Sequence, residues 1–321
     1  MPEGAILTMR RLLAGVLLCL GAGVPAAAEE CGEKIASFDL VQDGYGDIVI
    51  PVMFGDTPGH MALDFQALES AVYAKTAEKL HFPVTMLGRR YETFWFGERV
   101  TRFAEIPSMT IGKAPAHFKA FVLDQQEGEL DGWLGLSFLA GSDIDIDFPN
   151  KKITFFSPNS CPAAQLFALT ESFRTVPLTE HVRWNFDFPV QIDGHTIQMG
   201  FLPALSTGVV HLRPAEDVLG LKTTSPGMTK EPAPDFYSYT FKSLKVGGME
   251  LASLKLGVLW RPEPGCIDDR CWNEKPGGYL SLNQFRAMHL YIAYRAKKMY
   301  LSAGDSKLFQ APISMASPAA H

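Results

Sequence analysis

Three aspartates alternate at Asp143, Asp145 and Asp147, a spacing that puts their carboxylates on one face of a β-strand. Oxygens so arranged can hold a hard cation such as Ca²⁺. The competing reading, a solvated strand face, is the expected one, because the matching stretch later in the chain has His289, Tyr291 and Ala293. Gly135-Leu136-Ser137-Phe138-Leu139 approaches a nucleophile elbow but lacks its closing glycine. The eight histidines form no close i, i+4 pair, and none stands at ligand spacing beside a cysteine. Gly21-Ala22-Gly23 imitates a dinucleotide loop but falls just past an N-terminal apolar run, within a candidate signal segment. No metal and no cofactor is expected.

That apolar run, Leu12 to Leu20, follows Arg10-Arg11 and precedes Ala26-Ala27-Ala28, the pattern of a signal peptide over residues 1–28. Met9 is an alternative start. An exported mature chain, bacterial periplasmic or secreted, is expected, with no later segment able to span a membrane. Export leaves Cys31, Cys161, Cys266 and Cys271, an even number that suggests two disulfides with three possible pairings. With 321 residues, 47% hydrophobic and 20% charged, the chain has room for two cored domains. A net charge of −6 with no long basic run argues against nucleic acid as a partner.

The elements that must position any site occur twice. Gly132-Trp133-Leu134-Gly135-Leu136 through Lys152-Ile153-Thr154-Phe155 matches Gly278-Tyr279-Leu280-Ser281-Leu282 through Lys298-Met299-Tyr300-Leu301 at a constant offset of 146. Earlier blocks repeat in the same order. Ile48–Phe54 and its Gly55-Asp56 turn match Phe186–Ile192 and Asp193-Gly194, the pattern of a hairpin. Ala67–Val72 matches Ala204–Val209 at an offset of 137, and Ser108–Gly112 matches Ser243–Gly247. Helical pattern is confined to Ser70–Leu80 and Pro214–Gly220. The expected organisation is a first lobe over 32–157, a linker over 158–172, a second lobe over 173–302 and a flexible tail over 303–321. The expected fold class is all-β with a few short helices. Chemistry in such a repeat belongs where the copies meet.

The first copy resembles a retropepsin-like aspartic peptidase domain. The likeness is carried by Pro51-Val52 and its turn, Met61-Ala62-Leu63-Asp64 ending a strand, and Trp133-Leu134-Gly135 with its closing segment. It extends over both copies and implies one closed β-barrel per lobe, the two facing each other across a peptide-binding cleft. In that family each lobe supplies one aspartate of an Asp-Thr/Ser-Gly loop. The two carboxylates share a proton and activate a water. Here copy one reads Asp64-Phe65-Gln66-Ala67, and the 137 offset puts Phe201-Leu202-Pro203-Ala204 opposite it.

The second aspartate is then Phe201, and Pro203 stands where glycine should. Asp64 is open to three roles: half of an intrachain dyad, a residue that pairs across a homodimer, or a relic kept for structure or ligand contact. The expectation is the relic, in a degenerate peptidase that binds a peptide or partner segment. An active endopeptidase and a structural envelope protein are the alternatives.

Tyr91, Phe94, Trp95 and Phe96 fall where the family has its flap, so they either line a ligand groove or pack between lobes. The matching stretch Thr223–Tyr239, with Pro226, Pro232 and Pro234, is expected to be a rigid loop rather than a flap strand. Cleft contacts are thus assigned to Phe65, Gln66, Tyr91, Phe94, Trp95, Phe201 and Pro203.

Overall fold

The computed structural model describes residues 33–44, 46–89, 92–95, 98–125, 128–158, 173–182, 185–202, 205, 207–251, 254–260 and 276–303. The candidate signal segment, Cys31, Cys161, Cys266, Cys271, Tyr91, Pro203, the linker from 159 to 172 and the tail beyond 303 lie outside them.

The chain is all-β with short helical turns. β1 (Lys34–Asp39), β2 (Val41–Gln42), β3 (Ile48–Phe54) and β4 (Thr57–Leu63) lead to β5 (Ser70–Tyr73) and helix α1 (Ala74–Lys79). Then come β6 (Val84–Met86), β7 (Thr93–Trp95), β8 (Glu98–Val100), β9 (Arg102–Ile111) and β10 (Ala114–Leu123). β11 (Gly132–Leu134), α2 (Leu136–Leu139), β12 (Asp143–Asp147) and β13 (Lys152–Phe156) close the first half.

The second half begins with β14 (Phe173–Pro177), β15 (Thr179–Val182), β16 (Asn185–Ile192), β17 (His195–Phe201) and β18 (Val209–His211). After a π-helical turn (Pro214–Val218) come β19 (Thr229–Lys230), β20 (Phe236–Thr240), β21 (Leu244–Val246), β22 (Met249–Glu250) and β23 (Lys255–Leu259). It ends with β24 (Gly278–Leu280), α3 (Leu282–Phe285), β25 (Met288–Ala293) and β26 (Lys298–Ala303).

First-half strands form a sheet in the order β2-β3-β4-β11-β5-β10-β9-β6, and Met53 pairing with Thr110 joins β3 to β9 and closes a barrel. At its centre β4 is parallel to β11, β11 antiparallel to β5, and β5 parallel to β10. The second half repeats this weave: β17 is parallel to β24, β24 antiparallel to β18, and β18 parallel to β23. Here the strand matching β9 is split. β20 stays on β23 while β21 pairs with β16, so the ring is interrupted over residues 241–243. A third sheet, β1-β13-β12-β25-β26-β14, takes three strands from each half.

Local sequence explains these elements. β3 alternates buried Ile48, Ile50, Val52 and Phe54 with more exposed neighbours, the period of a half-buried strand. In the β16–β17 turn Asp193 and Gly194 both have positive φ (48° and 87°), the primed turn whose twist suits a tight hairpin.

Three expectations are corrected. Ser70–Tyr73 is strand, not helix: all four residues are buried, and β5 is held between β10 and β11. The stretch 223–239 contains a hairpin, because Thr229 and Lys230 pair with Ser238 and Tyr237, leaving Pro232 and Pro234 in its turn. The face carrying Asp143 and Asp145 is not solvated: they are 3% and 9% exposed. Tyr291 donates to Asp143 (2.9 Å), and His289 meets Asp145. Among the described residues no group of three or more His, Cys, Asp or Glu side chains is arranged to hold a metal. No helix among them is long and apolar enough to cross a membrane.

Candidate functional site

Asp64 is the first residue beyond β4, where the parallel β4–β11 pairing ends and its N–H donates to Leu134 O at 3.0 Å. Its Oδ1 accepts the N–H groups of Gln66 and Ala67, both at 2.8 Å, so the side chain holds its own loop in an Asx-type turn. The glycine turn after β11 cradles that loop. Leu136 N donates to Ala67 O and Ser137 N to Leu68 O, each at 2.8 Å. Only glycine allows this approach, since a Cβ on Gly135 would lie 2.2 Å from Glu69 O. Gly135 N also donates to the buried Ser70 Oγ at 3.1 Å.

Asp64 is 9% exposed. Burial pushes its carboxyl above the usual range, and the bonds from Ala67 and Gln66 only partly offset this. No charged group among the described residues adds to this shift.

The equivalent of Asp64 in the second half is Leu202. Leu202 N donates to Leu280 O at 2.9 Å, as Asp64 N does to Leu134 O, and Leu280 lies 146 residues after Leu134. The ladders agree: Trp133 faces Ala62 and Tyr279 faces Gly200, while Val52 faces Gly59 and Val190 faces Ile197. These pairs fix an offset of 138, not 137. Phe201 is therefore the counterpart of Leu63, and the expected exchange of the second aspartate for phenylalanine is corrected to leucine. The one-residue slip came from matching Ala67-Leu68 to Ala204-Leu205, a likeness of residue type that the backbone register does not follow.

Phe201 still meets the Asp64 loop. Its ring lies edge-on to Phe65 (centroids 5.3 Å) and to Phe285 (5.3 Å). Gln66 Nε2 donates to Phe201 O at 2.8 Å. Gly200 permits this closeness: a Cβ there would sit 2.9 Å from Gln66 Nε2 and 2.8 Å from the Tyr279 ring. Behind lies a cavity of about 30 Å³, lined by Phe65, Gln66, Phe188, Phe201, Ile292 and Tyr294 among others. It has room for a water or two. Burial pushes the Tyr294 phenol far above its usual value, so it stays neutral.

The second half has remodelled the rest of its site. Ser281 stands where Gly135 does, so its Cβ excludes the loop approach that Gly135 allows. Gly208 replaces Ser70, and the backbone N–H that Ser70 would receive is taken by a new acceptor: Ser281 N donates to Gln284 Oε1 at 2.9 Å. Another pair is kept. Tyr73 on Trp133 (5.2 Å) has its counterpart in His211 on Tyr279 (5.4 Å), both edge-to-face.

Of the sequence-derived site residues, Asp64, Phe65, Gln66 and Phe201 converge. Trp95 does not join them: it is 8% exposed and packs with Phe121 (6.2 Å) and Trp133 (6.4 Å) in a separate cluster. Phe94 lies in β7 opposite Arg99. Leu202, Gly200, Phe285 and Tyr294 also belong to the site, although the sequence does not single them out as site residues. The signal for the first two was Met61 matching Met199, which gives the offset of 138.

In comparisons with known proteins, no family model and no curated sequence matches this chain.

Proposed function

We propose that this chain is an exported, retropepsin-like protein of two pepsin-like lobes that holds an extended peptide or partner segment between them without cleaving it. The observation that carries the reading is the pairing of Asp64 with Leu202 at equivalent positions of a repeated weave. A shared-proton dyad needs a carboxylate at both. The Phe65–Phe201 contact and the Gln66 bond to Phe201 O support it further, because they surround the Asp64 loop with an aromatic edge and an amide instead of a second acid. A sheet built from three strands of each half, with the same crossing pattern on either side, supports the bilobal arrangement.

An extended segment would bind by strand addition with side-chain pockets. The test is calorimetric titration of the full chain with unstructured peptides, compared with Phe201→Leu. Binding that Phe201→Leu weakens supports the proposal. Binding that the variant leaves unchanged moves the site elsewhere, and no binding at all favours a structural envelope role. An active endopeptidase would instead cleave these peptides in a manner that pepstatin-type inhibitors block.

A further inference from the structure

The β12–β25 seam is where a strand of each half pairs with the other, and its register is symmetric. Ile144 faces Ile292, Asp145 faces Tyr291, Ile146 faces Leu290 and Asp147 faces His289. Under the offset of 146, Asp145 and Tyr291 are each other's counterparts, so the pseudo-twofold axis passes between them. Two unaltered copies would set aspartates face to face at this axis. The second copy instead has His289, Tyr291 and Ala293 in place of Asp143, Asp145 and Asp147, and both polar replacements reach diagonally to copy-one carboxylates: His289 to Asp145 and Tyr291 to Asp143.

We propose that this seam is a pH-responsive clasp, in which protonated His289 ties the second half to Asp145 of the first and loss of that proton loosens the junction. The proposal rests on strand pairing and is independent of whether a peptide binds.

Among the described residues, the groups that the strand ladders set around His289 are acids and hydroxyls. From β12 it meets Asp145 and Asp147, with Asp143 one step further; from its own strand, Tyr291; from β26, Ser302 opposite it and Tyr300 beside that. Lys152 of β13, opposite Asp147, pairs with Asp39 of β1 at 2.6 Å, and Asp147 accepts from Asn150. His289 and Asp145 side chains are only 18% and 13% exposed, so water screens them weakly.

Burial disfavours the imidazolium, but the hydrogen bond to Asp145 and the charges of Asp145 and Asp147 outweigh it and raise the His289 midpoint. A raised folded-state midpoint gives stability that is full below the unfolded value of 6.5 and lost as pH rises through the folded one. Asp145 is itself raised, by burial first, with His289 opposing. It therefore adds to the fall on the acid side rather than cancelling it.

Two measurements on the full chain decide the matter. Denaturant unfolding of the wild type, taken from slightly acid to alkaline pH, should show the folding constant falling by up to about tenfold per pH unit above the ordinary histidine midpoint. His289→Gln should flatten that step. An equal fall in the variant, or none in the wild type, overturns the clasp. Should His289→Gln fail to fold, an NMR titration of the assigned His289 ring in the wild type decides instead: a midpoint above the ordinary value, reduced in Asp145→Asn, supports the clasp, and one at or below it overturns it.

Discussion

Gln66 donates its side-chain amide to the backbone carbonyl of Phe201, 2.8 Å away and 135 residues further along the chain. The bond ties the Asp64 loop of the first half to the end of β17 in the second. It also depends on Gly200, whose missing side chain leaves room for the Gln66 amide.

Gly200→Ala should therefore be felt at once. Its Cβ meets both Gln66 Nε2 and the Tyr279 ring at under 3 Å, and overpacking of this kind costs about 1–3 kcal/mol. Denaturant midpoints will measure it. Adding Gln66→Ala should recover only the part due to the amide, because Tyr279 still clashes.

Phe201→Ala removes a ring that is 6% exposed and packs against both Phe65 and Phe285. The expected cost is about 3–5 kcal/mol, the range for buried aromatic truncation. A loss below about 1 kcal/mol would mean that the three rings do not pack as described.

Gly135→Ala should be worse tolerated than Ser281→Ala, although the two positions are equivalent. A Cβ at Gly135 falls 2.2 Å from a backbone carbonyl that has no freedom to rotate away, whereas Ser281 already has one. The first should cost about 3 kcal/mol or more. Ser281→Ala removes the hydroxyl bond to Gln284 and should cost about 1 kcal/mol, up to roughly 3 if the buried Gln284 oxygen is left short of donors. Parallel thermal melts will separate them.

Asp64 has a pH signature of its own. Its folded-state carboxyl lies above the ordinary 3.8, so the fold binds that proton more tightly than the unfolded chain does. Stability is then full below 3.8 and lost as pH rises through the folded midpoint. Asp64→Asn keeps an oxygen for Gln66 and Ala67 and should flatten this acid-side loss, visible in unfolding curves over the carboxylate range.

Much of the fold is legible in the sequence because its turns are chemically marked. Gly55-Asp56 and Asp193-Gly194 locate both leading hairpins, and Gly132 and Gly278 sit where a Cβ would strike Ala71 O and Val209 O. Ser70–Tyr73 reads as helix in the sequence because this strand is buried on every side and shows no alternation to distinguish it. The polarity of Asp143 and Asp145 suggested water, yet cross-strand partners from the other copy cover them, and a single strand's pattern does not reveal those. Asp64 and Phe201 were legible as a meeting point. Their exact equivalence was not, because a one-residue slip is invisible until the ladders fix the register.

The second half has Leu202 at the position of Asp64, and the function proposed from this is binding without cleavage. The direct measurement is mass spectrometry of unfolded protein substrates incubated with the full chain from acid to neutral pH, alongside Asp64→Asn. The account predicts intact substrate in both samples. Cleavage products that form with the wild type and vanish with Asp64→Asn would contradict it.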